Sequence, residues 1–80
     1  MTNLEKYNNA FTTVLEVTSD QLSGLKYQDI ESWDSVGHMQ LVAALEDAFD
    51  IMLDTDDIID FSSYEKGKEI LAKKDYGVEF

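Results

Sequence analysis

The chain has no cysteine, no proline, and only six basic residues against seventeen acidic ones. The lack of cysteine excludes a disulfide framework, a thiolate nucleophile and a cysteine metal site. If the protein carries a thioester, the thiol has to come from an added group. The formal net charge of −11 argues against nucleic acid and anionic membranes as partners, because both are themselves negatively charged.

Long apolar runs are also absent. No stretch approaches the roughly 20 apolar residues that a membrane-spanning helix needs. The polar N-terminal stretch does not have the apolar core of a signal peptide. We therefore expect a cytoplasmic protein without membrane insertion. Eighty residues predict one domain with a modest core, and we expect a monomer.

The acidic charge is concentrated in the middle of the chain. Residues 1–30 carry a net charge of −2 and residues 61–80 are balanced, whereas residues 31–60 have nine acids and no lysine or arginine. One interpretation is a solvated face that keeps a small protein soluble. The other is a docking surface for basic partners, with encounter rates that fall as salt rises.

Apolar residues recur at helical spacing in several segments, and no β-strand alternation is present. These patterns predict an all-α fold, a small four-helix bundle of three longer helices and one short helix. The predicted segments are helix 1 over 3–16, a loop over 17–34, helix 2 over 35–49, short helix 3 over 56–61, helix 4 over 63–74 and a tail over 75–80. We expect the loop to pack its apolar side chains Leu22, Leu25 and Ile30 over the core.

Two predicted helix starts carry capping signals. Asp34 is placed as the N-cap of helix 2, and Ser62-Ser63-Tyr64-Glu65 matches a capping box that starts helix 4. Gly37, in the first turn of helix 2, allows a close approach by another backbone or a partner. The large apolar residues expected in the core rather than in a cofactor site are Phe11, Met39, Phe49 and Phe61.

Ser35 lies at the start of helix 2, after Trp33 and Asp34. The first N–H groups of a helix are unpaired and the helix dipole favours an anion there, so the backbone already offers a site for a phosphate on Ser35. The chain has few other residues that could do chemistry. Ser35 is therefore the leading candidate for a phosphate-linked attachment point.

These residues resemble an acyl carrier protein, a small acidic four-helix domain whose serine at the start of helix 2 receives 4′-phosphopantetheine from coenzyme A. The matching residues are Asp34-Ser35-Val36, Met39, Leu41-Val42, Ala44-Leu45-Glu46, Phe49-Asp50-Ile51 and Ser63-Tyr64. The resemblance implies that Ser35 is the attachment site, with Asp34 as the helix cap beside it. In that family a separate phosphopantetheinyl transferase supplies the base and magnesium, so the resemblance implies that the chain itself is not an enzyme.

The resemblance also implies what the carrier meets. Its thioesters go to acyl-transferring and synthase enzymes of lipid, polyketide or other specialised acyl metabolism, through basic docking patches on those enzymes. The docking residues implied are Glu46, Asp47, Asp50, Asp56, Asp57 and Asp60. For a carrier we also expect an acyl chain to be sheltered between helices 2 and 3, with a lining of Met39, Leu45, Ile58 and Phe61.

The sequence departs from the common pattern of the family directly after the serine. Gly37 and Gln40 stand where many members have acids, with the only histidine, His38, between them. The departure predicts a specialised carrier outside housekeeping fatty acid synthesis. We expect His38 on the helix surface or against Trp33.

The sequence is also compatible with a peptidyl or aminoacyl carrier, and with a non-enzymatic acidic interaction or inhibitor protein. A calcium loop counted from Asp54 to Glu65 has Ile58 and Ile59 where an oxygen ligand and a glycine belong. Ser35 with His38 and Asp34 lacks the nucleophile elbow of a hydrolase. We therefore assign no metal ligand and no catalytic residue.

Overall fold

The computed structural model describes residues 1–80. It is all-helical, which confirms the predicted small bundle of three longer helices and one short helix. The helices are α1 (Asn3–Leu15), α2 (Ser35–Phe49), α3 (Thr55–Asp60) and α4 (Tyr64–Leu71), with a single 3-10 turn at Ser19–Gln21. The only β-type pairing is one isolated bridge between Lys26 and Ser63. None of the helices is both long enough and apolar enough to cross a membrane.

The ends of α2 agree with the prediction, but the end of α4 does not. The bounds of α2 coincide with the prediction, whereas α4 ends at Leu71, three residues early. After Ala72 the chain turns back: Gly77 has a positive φ of 67°, and the Val78 N–H donates to the carbonyl of Leu71 at 3.0 Å. This turn buries Val78, so packing ends the helix before Lys73 and Lys74, which the predicted helix 4 included.

The start of α4 differs from the predicted capping box. Ser63, not Ser62, is the N-cap, and its hydroxyl accepts from the Lys66 N–H at 3.0 Å. Glu65 does not fold back on the helix; its Oε1 accepts from the N–H of Gly24 at 3.1 Å. The carboxylate thus fastens the long loop to α4 instead of closing the capping box.

A cluster of aromatic rings forms the centre of the core. The ring of Phe11, on α1, lies 4.9 Å from Tyr7, 5.5 Å from Trp33, 5.3 Å from Tyr64 and 6.1 Å from Phe61, measured between centroids. These four rings come from α1, the long loop, the start of α4 and the end of α3. One side chain of α1 therefore packs against aromatic rings from the long loop, the end of α3 and the start of α4.

The inner face of α2 is narrower than the sequence pattern indicated. Gly37, Leu41 and Leu45 lie four residues apart and are buried, together with Val42. Met39 is 54% exposed, so its predicted place in the core is wrong. It lies on the side of α2 that lines a pocket together with Ile58 and Ile59 of α3. Of the other residues predicted for the core, Phe11 and Phe61 are buried and Phe49 is half-buried against the core.

The long loop between α1 and α2 packs over the core as predicted. Leu22 and Leu25 are buried and Ile30 is half-buried. Its backbone is tied to the α3–α4 connection, since the Tyr27 N–H donates to the Ser62 carbonyl and the Tyr64 N–H donates to the Leu25 carbonyl, both at 2.9 Å. These bonds bring the loop alongside the end of α3.

Gly67 of α4 offers a direct test of this packing. A Cβ at position 67 would lie 2.2 Å from the Tyr7 hydroxyl oxygen and 2.3 Å from Cζ of Phe61, both on buried rings. We expect Gly67→Ala to lower the free energy of unfolding by about 1–3 kcal/mol, despite the better helix propensity of alanine. Urea denaturation followed by circular dichroism measures the loss.

The matched control for this prediction is Glu69→Ala, an exposed position on the same helix. It should change stability by no more than about 0.5 kcal/mol. A Gly67→Ala protein as stable as the wild type would show that the rings of Tyr7 and Phe61 are not packed against α4 as described.

Candidate functional site

Ser35 is the first residue of α2, and its side chain is exposed. Asp34 is the N-cap, as predicted: its Oδ1 accepts from the Gly37 N–H at 2.8 Å, and its carbonyl accepts from the His38 N–H at 2.8 Å. The N–H groups of Ser35 and Val36 donate to no other group of the chain. The first turn therefore has an anchored cap and two free donors next to an exposed hydroxyl.

The backbone of the loop holds this first turn in place. A Cβ on Gly37 would lie 1.9 Å from the carbonyl oxygen of Ser32, a distance that no side chain tolerates. The glycine is therefore required by the close approach of another backbone, one of the two explanations that the sequence suggested. The Ser32 hydroxyl in turn donates to the carbonyl of Leu15 at 2.8 Å. Ser35 is thus fixed relative to the end of α1.

A pocket of about 340 Å³ lies between the start of α2, the end of α3 and the loop. Its walls are mostly apolar, and Ser35 is one of the residues that line it. The others are Tyr27, His38, Met39, Ile58, Ile59, Phe61 and Ser62. Three of the four predicted lining residues are here. The fourth, Leu45, is fully buried on the inner face of α2, two turns beyond His38, so its predicted place in the lining is wrong.

His38 connects three parts of the structure at this pocket. The indole N–H of Trp33 donates to Nδ1 of His38 at 2.9 Å, and Nε2 of His38 lies 2.8 Å from the carbonyl oxygen of Ile58. Because Nδ1 accepts, the ring hydrogen belongs on Nε2, which donates to Ile58. The expected contact with Trp33 is present. The bond to α3 had no signal in the sequence, because its acceptor is a backbone carbonyl.

The predicted docking acids separate into exposed and internally bonded residues. Asp47, Asp50, Asp56 and Asp60 are exposed. Glu46 is half-buried, and its Oε2 accepts from the Leu53 N–H at 2.9 Å, which supports the turn after α2. Four carboxylates of the predicted set therefore face solvent along α2 and α3.

Asp57 does not belong to the exposed acidic surface, and its prediction as a docking residue is wrong. It is only 7% exposed, because the inner side of α3 faces the C-terminal segment. Its Oδ1 accepts from the Lys73 ammonium at 2.7 Å and its Oδ2 from the Tyr76 hydroxyl. The Tyr76 oxygen also accepts from the Asp54 N–H at 3.0 Å. Asp57 therefore anchors α3.

The calcium loop considered between Asp54 and Glu65 does not form. Residues Thr55–Asp60 are helical, and Glu65 is bonded to Gly24. In the 80 residues described, no three His, Asp or Glu side chains are grouped so that they could hold a metal ion.

Compared with protein-family models, curated proteins and solved structures, the chain matches none of them.

The Asp57 anchor predicts a pH dependence of stability. The hydrogen bond from Lys73, followed by that from Tyr76, lowers the pKa of the Asp57 carboxyl below its usual 3.8. A lowered folded-state pKa means that the stabilisation is fully present above pH 3.8 and is lost as the pH falls through the folded-state value. We expect Asp57→Asn to be less stable than the wild type at neutral pH, with a difference that shrinks in acid. Urea unfolding at a series of pH values measures it.

Asp56→Asn is the control, because Asp56 is an exposed neighbour on the same helix. It should leave both the stability and its pH dependence nearly unchanged. A difference between wild type and Asp57→Asn that stays constant down to low pH would mean that the carboxylate charge does not hold α3.

Proposed function

We propose that the chain is an acyl carrier protein, which holds acyl groups as thioesters on a 4′-phosphopantetheine arm attached to Ser35. The observation that carries the proposal is that Ser35 belongs both to the first turn of α2 and to the wall of a pocket. It is an exposed hydroxyl at the capped start of α2, and it lines an apolar pocket. An attachment point for an arm and a shelter for what the arm carries are thus side by side.

The first turn of α2 suits a phosphodiester on Ser35. The free N–H groups of Ser35 and Val36 and the positive end of the helix dipole favour an anion at this place. The Asp34 carboxylate is bonded to the Gly37 N–H, so it does not occupy the N–H groups of Ser35 and Val36. In the attachment step the Ser35 oxygen bonds to phosphorus of coenzyme A, the bond to 3′,5′-ADP breaks, and a base of the transferase takes the serine proton.

When bound, the arm supplies the thiol that this cysteine-free chain does not have. The chain's own contribution is binding and shelter, without catalysis. Met39, Ile58 and Phe61 present apolar surface to the pocket, and each methylene of cargo transferred there from water gains about 0.8 kcal/mol. This supports an acyl cargo with an apolar chain.

The exposed carboxylates support partners with basic patches. Asp47, Asp50, Asp56 and Asp60 lie in a stretch without lysine or arginine, so their potentials add. We place the phosphopantetheinyl transferase and the acyl-transferring and synthase enzymes on this surface. Because Gly37 has a steric role against Ser32, an acid at that position is not compatible with this loop. This supports a carrier that differs from the members with an acid at that position, and we propose a specialised carrier. That it is a cytoplasmic monomer is a further part of the proposal and does not rest on Gly37.

The attachment site is tested by intact mass after incubation with coenzyme A, magnesium and a broad-specificity phosphopantetheinyl transferase. We expect the wild type to gain one phosphopantetheine group and Ser35→Ala to gain none, because the attacking hydroxyl is missing. Ser62→Ala is the matched control, since Ser62 is a second exposed serine that lines the same pocket. It should be modified like the wild type.

Two results of this experiment would contradict the assignment. Modification of Ser35→Ala would place the arm on another residue. A folded wild type that is not modified by any of several transferases would favour the acidic interaction protein instead.

The docking surface is tested by the rate of the same modification. We expect the combined change of Asp47, Asp56 and Asp60 to asparagine to lower the second-order rate at low salt about tenfold or more, because the steering charge is removed. The difference from the wild type should narrow at high salt, where the charges are screened.

The control for the modification rate is a second triple variant that loses the same number of negative charges outside α2 and α3. Asp20, Asp75 and Glu79 are exposed and lie outside α2 and α3. The triple variant Asp20→Asn, Asp75→Asn, Glu79→Gln should be modified at a rate near that of the wild type. Equal losses in the two triple variants would show that net charge, and not this surface, sets the rate.

A further inference from the structure

His38 lies between the pocket and the buried indole of Trp33. Its ring lines the pocket beside Met39 and Ile58. Ring centroids lie 5.3 Å away at Tyr27 and 5.8 Å at Phe61, which also line the pocket, and 6.2 Å at Trp33, which is fully buried and does not line it. Behind the imidazole the structure is therefore closed by the Trp33 indole.

The imidazole is held at this place by bonds at both ring nitrogens. Trp33 donates to Nδ1 and Nε2 donates to Ile58, at 2.9 and 2.8 Å. Turning the ring away from the pocket would leave the indole N–H of Trp33 without a partner in a place where the indole is 0% exposed. A buried donor that loses its partner is strongly unfavourable, because it has exchanged its bond to water for no bond at all. An apolar chain entering the pocket therefore meets a fixed wall rather than a side chain that yields.

We propose that His38 is a specificity-determining residue that sets the longest apolar chain this carrier can shelter. The inference rests on the proposed function, because it takes the cargo to be an acyl chain on the arm at Ser35. The chain would occupy the pocket along Met39, Ile58 and Phe61 and stop at the imidazole. Carbons beyond this length stay outside and remain exposed to solvent.

The test compares thioesters of increasing length, from butanoyl to tetradecanoyl, loaded on the wild type and on His38→Ala. The rate of cleavage by hydroxylamine reports how well each acyl chain is sheltered. In the wild type, protection should rise with length and then stop rising. In His38→Ala the limit should move to chains longer by about two methylene groups, because the cavity left by the ring extends the pocket.

Two further variants distinguish a change in the depth of the pocket from a general weakening of the structure or of its contacts with the acyl chain. His38→Gln keeps an acceptor for Trp33, a donor for Ile58 and much of the bulk, so it should keep the wild-type limit. Met39→Ala removes apolar contact at an exposed part of the lining, and should weaken protection without moving the limit. An identical limit in wild type and His38→Ala overturns the proposal, as does a uniform loss of protection at every length.

A measurement on the wild type alone covers the case in which His38→Ala does not fold. Trp33 is the only tryptophan, so its indole N–H gives one resonance, and that hydrogen is bonded to His38. We expect this resonance to shift only with acyl chains long enough to reach the imidazole, at the length where protection stops rising. A response that is equal at all lengths, or no response, overturns the proposal.

The failure of this inference is distinguishable from failure of the carrier proposal. If intact mass shows no added arm, the same depth limit is measured on the unmodified chain by titration with free alkanols from butan-1-ol to dodecan-1-ol. Affinity should rise with length up to a limit that is longer in His38→Ala than in the wild type. Equal limits would overturn the role of His38, whatever the result at Ser35.

Discussion

The packing of aromatic rings around Phe11 is the interaction on which the rest of the structure depends. Its ring contacts Trp33 from the loop, Phe61 from the end of α3 and Tyr64 from α4. The elements themselves are short, and helices of six or eight residues are not stable alone in water. Their positions are therefore set by this cluster, and so is that of His38, which is bonded to Trp33.

The carboxylates of α3 have two opposite effects. They supply the acidic surface, but they also repel one another in a helix that has to stay in place as one wall of the pocket. Asp57 resolves part of this conflict by turning inward to Lys73 and Tyr76, so one acid is neutralised inside while Asp56 and Asp60 remain outside. A partner would therefore meet fewer negative charges on α3 than the sequence suggests. The bonds of Asp57 to Lys73 and Tyr76 also add to the contacts that hold α3 in place.

Much of this arrangement was predictable because it depends on local signals. The apolar spacing and the cap at Asp34 gave the bounds of α2, and they placed Ser35 at its start. Met39 was misplaced because a period of 3.6 residues does not say which flank of a helix its neighbours cover. The Asp57–Lys73 pair and the His38–Ile58 bond join distant residues, and one of the groups is a backbone carbonyl. No pattern along the chain records such contacts.

The two sides of the pocket differ in how they are fastened. The first turn of α2 is fitted against the Ser32 backbone, which is tied to the end of α1. The opposite side, α3, is bonded to Tyr76 and Lys73 of the C-terminal turn, to His38 of α2 through Ile58, and to the core through Phe61. Partial unfolding that starts at the C-terminal turn would remove the first two of these contacts and leave the other two. A segment that does not line the pocket therefore contributes to how firmly one wall of the pocket is held, whereas the serine on the other wall does not depend on it.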